Sequence, residues 1–119
     1  MKLEAVTTTA ICISGAGSLD PIHVFWVNVE PGKGYITAIC YGSAWTAYFG
    51  AMNGQTIQQF VAEVDADYLT TKMGYAPTLK HGKQQMAYLR HIVDAIILAA
   101  AAAQSTGPQA AQAPKEGNS

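Results

Sequence analysis

In the first half of the chain, apolar residues alternate with polar ones or run continuously, as they do in strands. Residues 22–30 are the strongest case, because apolar side chains fall on both faces, as in a central strand. Thr, Val and Ile favour another strand at residues 3–13, and the turn residues 31–34 predict a hairpin into a strand at 35–41. A short fourth strand at residues 45–49 is compatible with the same pattern. We therefore expect an antiparallel meander of three or four strands.

The second half follows the helical period. Thr56 and Gln59 form a capping box, so a helix begins near Thr56, and Gly74 followed by Pro77 marks its end. Its apolar face recurs every 3.6 residues, at Ile57, Phe60, Val61, Val64 and Tyr68. A second helix is predicted at residues 79–104 and becomes apolar over more than half its circumference. The predicted fold class is α+β, with the sheet followed by two helices packed on one face.

Length and composition indicate one domain in 119 residues. Residues 105–119 contain no aromatic and no large aliphatic residue, so we expect a single domain at 1–104 and a flexible tail at 105–119. Half of the residues are apolar and only 13% are charged. Such a chain has little polar surface with which to cover itself, which favours a homo-oligomer, and the second helix is the expected interface.

Net charge and cysteine content indicate a compartment. The net charge of −1 provides no strong field towards nucleic acid or membrane, and two cysteines are too few for a disulfide scaffold. The N-terminus lacks a signal-peptide pattern, and the apolar run 95–103 is shorter than the roughly 20 residues that span a bilayer. We therefore expect a reduced cytoplasmic protein that does not insert into a membrane.

Acidic residues cluster on the first predicted helix. Glu63 and Asp67 share a face and Asp65 lies off it, and two carboxylates on one face can hold a cation or share a proton. Metal sites need further ligands, and no Cys/His spacing supplies them, so we predict no metal and no cofactor. A solvated acidic surface is the simpler interpretation, and a partner-binding rim is the alternative.

Basic residues follow on the second predicted helix. Lys80, Lys83 and Arg90 lie near one side, where they could contact phosphates. A solvated helix face is the simpler explanation of these few charges, and no nucleic-acid motif surrounds them. Cys12, Cys40 and Ser43 have no sequence-marked histidine base, so the chain is predicted not to be an enzyme.

Four aromatic residues lie within nine positions: Tyr41, Trp45, Tyr48 and Phe49. Such rings can fill a core, or they can line a site for a protein partner, a small molecule or a nucleotide. Small residues between Gly42 and Gly54 let another molecule approach closely, which favours a binding site. With Asp65 and Asp67 at the rim, these four aromatic residues are the candidate partner-binding or ligand-binding residues.

The same segment resembles small bacteriophage and prophage proteins. The resemblance covers about a quarter of the chain and is carried by Tyr41-Gly42, Ala44-Trp45, Tyr48, Gly50-Ala51-Met52, Thr56, Phe60, Asp65 and Asp67-Tyr68-Leu69. It implies a phage-encoded accessory protein that acts by binding a host or phage protein. Inhibition of a host defence, as by an anti-CRISPR protein, is one such role.

Overall fold

The computed structural model describes residues 1–6, 8–74 and 82–112. Its elements are β1 (Thr8–Ile13), β2 (Ile22–Glu30), β3 (Lys33–Cys40), β4 (Ser43–Phe49), α1 (Ile57–Glu63), α2 (Ala66–Gly74) and α3 (Lys83–Gln112). The strands form one antiparallel sheet in chain order, and the helices pack together on one of its faces. The predicted α+β fold is confirmed, with the fourth strand present and with three helices in place of two.

The sheet has one covered and one open face. On the covered face, Ile22 and Val24 of β2 lie beside Cys40 and Ala38 of β3, and all four are buried. Successive side chains of a strand point to opposite sides, so the intervening residues form the open face. β2 is a central strand, as predicted, and the helices account for the apolar residues on its covered face, whereas Phe25 and Val27 lie on its open face.

The first predicted helix is in fact two helices. The capping box is confirmed, because the Gln59 amide donates to Thr56 Oγ1 at 3.1 Å and the Thr56 amide donates to Gln59 Oε1 at 3.0 Å. The backbone of Val64 is extended, which ends α1, and Asp65 Oδ2 then accepts the Tyr68 amide at 3.0 Å. An aspartate that captures a backbone amide three residues ahead begins a new helix, so Asp65 separates α1 from α2.

The third helix provides the longest part of the core. Leu89, Ile92, Val93 and Ile96 are fully buried in one cluster with the covered face of the sheet, α1 and α2. Residues 83–104 are long and apolar enough to cross a membrane by length and composition alone, with a mean hydropathy of 1.5. The core helix of a domain passes the same test when it is mostly buried. Here Leu89, Ile92, Val93 and Ile96 are buried, and 28% of the helix's apolar window is buried within the chain.

The third helix extends past residue 104, to Gln112. The single domain at 1–104 and the flexible tail at 105–119 stay predictions. The rest of the predicted tail, 113–119, lies outside the described residues, as do Pro77 and Lys80. Gly74, expected just beyond the helix end, is the last residue of α2.

Candidate functional site

The turn between β3 and β4 carries the most exposed aromatic ring of the candidate cluster. Cys40 pairs with Ser43, so the turn has two central residues, Tyr41 and Gly42. Both have positive φ, 50° and 79°, as type I′ hairpin turns require. Asn or Gly normally takes the first of these positions, whereas here a tyrosine does, with its side chain 82% exposed. We call Tyr41 and Gly42 the hairpin tip.

Below the hairpin tip, a hydrogen-bonded chain ties the sheet to α3. Tyr88 Oη lies 3.2 Å from Cys40 Sγ, and the Cys40 thiol donates to the carbonyl oxygen of Asp20 at 3.5 Å. The bond to Cys40, together with burial, raises the pKa of Tyr88 to about 12. The half-buried Trp45 packs beside this chain, with its ring 6.0 Å from the Tyr88 ring. The hairpin tip therefore adjoins three residues that contact one another: Cys40, Trp45 and Tyr88.

The predicted aromatic cluster is divided between the two faces of the sheet. Trp45 and Phe49 point to the covered face, and Phe49 is buried in the core with its ring 4.9 Å from that of Phe60. Tyr48 points to the open face, where its ring lies 4.8 Å from that of Tyr35. Residues that are close in sequence therefore do not form one surface. Tyr41 and Trp45 lie at one end of the sheet, Tyr48 lies on the open face, and Phe49 belongs to the core.

The acidic and basic candidates meet across two helices. Arg90 of α3 forms an ion pair with Asp67 of α2 and donates from Nε to Asp94 Oδ1 at 3.0 Å. The bond to Asp94 is the main cause that raises the pKa of Arg90. All three side chains are largely exposed, so the pairs add little to stability. Asp65 serves as the cap of α2, so the predicted acidic rim is used largely within the fold.

The remaining charged candidates do not gather into a site in the described part of the chain. Lys83 is exposed at the start of α3, and Lys80 lies outside the described residues. Among the residues that the structure describes, no three His, Cys, Asp or Glu side chains come together as metal ligands would. Arg90 faces two carboxylates, which reduces the positive charge available to a phosphate.

Asn28 is a structural residue that sequence reasoning missed. Its Oδ1 accepts the Ile57 amide at 2.8 Å, and its Nδ2 donates to Gln58 Oε1 at 2.9 Å. The side chain thereby satisfies a free amide at the start of α1 and joins that helix to β2. A single polar residue in the otherwise apolar covered face of β2 was the available signal.

Two open grooves border the sheet. One, of about 510 Å³, lies between β1, the start of α1 and the far part of α3, with Ile11, Trp26 and Ala100 among its lining residues. The other, of about 470 Å³, follows the edge of β4 and includes Tyr48 and Lys72. Both are wide and mostly apolar, and neither includes the hairpin tip.

A family model described as a phage family matches residues 1–113. No curated protein and no solved structure matches the chain. The family match covers β1 to α3 and so extends far beyond the quarter of the chain that carries the resemblance at residues 41–69. This protein of 119 residues, with its meander sheet and three helices, therefore belongs to that phage family.

Proposed function

We propose that the protein is a non-enzymatic phage accessory protein that binds a host or phage protein in the cytoplasm of the bacterial host. The hairpin tip is the proposed contact, with Tyr41 as the anchor that enters a pocket on the partner. The carrying observation is that Tyr41 combines a left-handed backbone conformation with an almost fully exposed ring.

The backbone at Tyr41 has a cost that the fold does not need. A non-glycine residue in this region costs on the order of 1–2 kcal/mol, and an asparagine would relieve much of that cost. The exposed ring buries little surface within the chain in return. Strain retained without benefit to the fold points to a functional role for the side chain that carries it.

The chemistry of the hairpin tip suits a protein partner. Tyrosine and tryptophan are enriched among the few residues that dominate binding energy at protein interfaces. The backbone of Tyr41 is set by a two-residue turn that directly follows Cys40, whose thiol is hydrogen-bonded to Tyr88. A contact residue whose backbone is already held in place loses less entropy when it binds.

A capture experiment tests this proposal. Tagged wild type, Tyr41→Asn and Tyr68→Gln are each incubated with lysate of phage-infected host cells, and bound proteins are identified by mass spectrometry. Tyr41→Asn keeps the turn and removes the ring. Tyr68→Gln is the control, because it removes a half-exposed ring from α2, away from the hairpin tip.

The captured protein is then purified and its affinity measured by calorimetry. Loss of a hot-spot residue costs at least about 2 kcal/mol, so Tyr41→Asn should bind roughly 30-fold more weakly and Tyr68→Gln as wild type does. Equal affinity of Tyr41→Asn and wild type would overturn the proposal. The identity of the captured protein separates a host-defence component from other host or phage partners.

A thermal-shift screen with nucleotides distinguishes the proposal from small-molecule binding. A ligand present at a hundredfold excess over its Kd would stabilise the fold by about 2.7 kcal/mol. Stabilisation of this size by a nucleotide would contradict a role in protein binding alone. Nucleic-acid binding would instead appear as an affinity that falls steeply with salt.

A further inference from the structure

The open face of the sheet is covered by no element in the described part of the chain. It consists of the outward side chains of all four strands: Thr8, Ala10 and Cys12; His23, Phe25 and Val27; Tyr35, Thr37 and Ile39; and Ala44, Thr46 and Tyr48. The fully buried side chains, in contrast, lie on the covered face, on the helices above it or, for Met52, in the segment between β4 and α1. We keep the name open face for this set of twelve residues.

The composition of the open face is unusual for a surface in water. Antiparallel sheets with one solvated face normally carry polar and charged residues there. Here the open face has no carboxylate and no Lys or Arg, and its only imidazole, that of His23, lies in an end row. The ion pair of Lys33 with Glu30 lies beyond the opposite end, and Lys72 of α2 borders the β4 edge, where it lines a groove with Tyr35, Thr46 and Tyr48. A contiguous neutral patch of this kind marks an interaction surface.

From this face we infer that the protein forms a homodimer in which the open faces of two copies pack against each other. The face carries no charge that would select a charged partner, and a neutral face brings no like charges together when it meets its own copy. Sequence also argues against residues 113–119 as the cover, because they contain no aromatic residue and, apart from Pro114, no aliphatic side chain larger than that of alanine.

The dimensions of the open face agree with a dimer of moderate strength. Four strands of six residues, with about 4.8 Å between strands and about 3.4 Å per residue, span about 20 by 20 Å. Because the side chains make the surface uneven, each copy buries on the order of 500 Å² of accessible surface. The two copies together bury about 1,000 Å², which is the lower limit for a specific interface. We therefore expect dissociation in the micromolar range.

The sizes of Tyr48 and Ala44, at opposite ends of β4, favour one orientation of the two copies. Val27, Tyr35 and Tyr48 form a bulky row at one end of the open face, while Ala44 lies at the other end of β4. A twofold axis in the interface, perpendicular to the strands, places the bulky row of each copy over the opposite row of the other. Tyr48 then packs over Ala44 of the second copy, at the sheet separation of about 10 Å found in sandwiches.

This interface differs from the one expected on the last helix. The main apolar stripe of α3, including Leu89 and Ile96, is buried within the chain. On the outer side of α3, within the described residues, the large aliphatic side chain that is exposed to solvent is Leu98. The dimer is also independent of the proposed function, because the hairpin tip lies beyond the end of the open face.

Sedimentation velocity from low to several hundred micromolar tests the dimer with three lysine variants. Thr37→Lys places a charge in the centre of the open face, and Ala44→Lys places one at an exposed position beneath Tyr48 of the second copy. Leu98→Lys is the matched control on α3. Circular dichroism checks that each variant is folded. If Thr37→Lys does not fold, the dimer is tested by Ala44→Lys alone.

The expected result is concentration-dependent association of wild type from the 12.6 kDa monomer to a species of twice that mass. Ala44→Lys and Thr37→Lys should weaken this dimer at least tenfold, whereas Leu98→Lys and Tyr41→Asn should dimerise as wild type does. A wild type that stays monomeric would overturn the inference. Dimerisation that is lost in Leu98→Lys but kept in the open-face variants would overturn it equally, in favour of α3.

Discussion

Tyr41 and Asn53 occupy the same left-handed backbone conformation in two separate turns, with φ of 50° and 56°. Each is followed by a glycine with positive φ, Gly42 and Gly54. Asparagine tolerates this conformation because its short side chain bonds locally, whereas tyrosine gains nothing comparable. Tyr41→Asn should therefore stabilise the fold by about 1 kcal/mol, which raises Tm by roughly 4 °C in a domain of this size. Thermal unfolding followed by circular dichroism measures the change.

The reverse substitution is the matched control for this prediction. Asn53→Tyr places the same ring in the same conformation at another exposed position, so it should destabilise the fold by about the amount that Tyr41→Asn stabilises it. If Tyr41→Asn lowers Tm, the ring of Tyr41 makes contacts that stabilise the monomer. The strain at the hairpin tip would then no longer support a binding role.

The sequence pattern predicted local elements well, since local rules decide them. The bounds of β2 and the capping box at Thr56 agree with the structure. The break before α2 was missed because Val64 and Tyr68 continue the helical stripe, and only the side-chain bond of Asp65 reveals that a new helix starts there. Pattern gave no indication that this aspartate would cap a helix and not remain in its interior.

The candidate site depended on information that is not local. Both faces of β2 are apolar, so its sequence does not reveal which face the helices cover. The alternation in β4 places Tyr48 and Phe49 on opposite faces of the sheet. Which of the two is buried in the core depends on which face the helices cover. The strain at Tyr41 could be inferred only from the two-residue turn, whose length depends on the pairing of Cys40 with Ser43.

Asn28 is expected to be the main polar link between the sheet and α1. Asn28→Ala removes the acceptor of the Ile57 amide and leaves that donor without its partner in a partly buried place. An unsatisfied donor costs about 1–3 kcal/mol, so the urea midpoint should fall while the denaturant slope stays constant. Asn28→Asp keeps the acceptor and adds a negative charge at a helix N-terminus, and Gln58 can turn its amide so that Nε2 donates to the new carboxylate. It should therefore stay within about 0.5 kcal/mol of wild type. Equal losses of unfolding free energy in both variants would mean that the oxygen at residue 28 that accepts the Ile57 amide does not stabilise the fold.

The hydrogen bond of Tyr88 predicts a pH dependence of stability in the alkaline range. Its pKa rises from 10.0 to about 12 because the folded state bonds the phenol to Cys40 and partly buries it. Below pH 10 the phenol is protonated in both states, and its stabilising contribution is complete. Between pH 10 and about 12 the unfolded chain loses the proton first, so this contribution falls as pH rises. Tm measured across this range should drop more steeply for wild type than for Tyr88→Phe.

The two variants share every other titrating group, so the difference between their Tm curves isolates Tyr88. Tyr88→Phe should also be slightly less stable at neutral pH, by about 1 kcal/mol, because Cys40 Sγ loses its donor. Parallel curves for wild type and Tyr88→Phe would show that the phenol titrates in the same way in the folded and unfolded states. The hydrogen bond to Cys40 would then not raise the pKa of Tyr88.

Gly34 of β3 lies in close contact with the start of α1. A Cβ added there would lie 2.8 Å from the carbonyl oxygen of Val27 and 3.2 Å from Ile57 Cβ, and neither atom can move without shifting backbone. Gly34→Ala should therefore destabilise the fold by about 2 kcal/mol, within the usual range for an overpacked core. Gly50→Ala is the control, because its Cβ would meet only the exposed ring of Tyr48, which can rotate away. We expect Gly50→Ala to stay within about 0.5 kcal/mol of wild type in urea unfolding, and a similar loss in both variants would contradict the close approach of α1 to the sheet at Gly34.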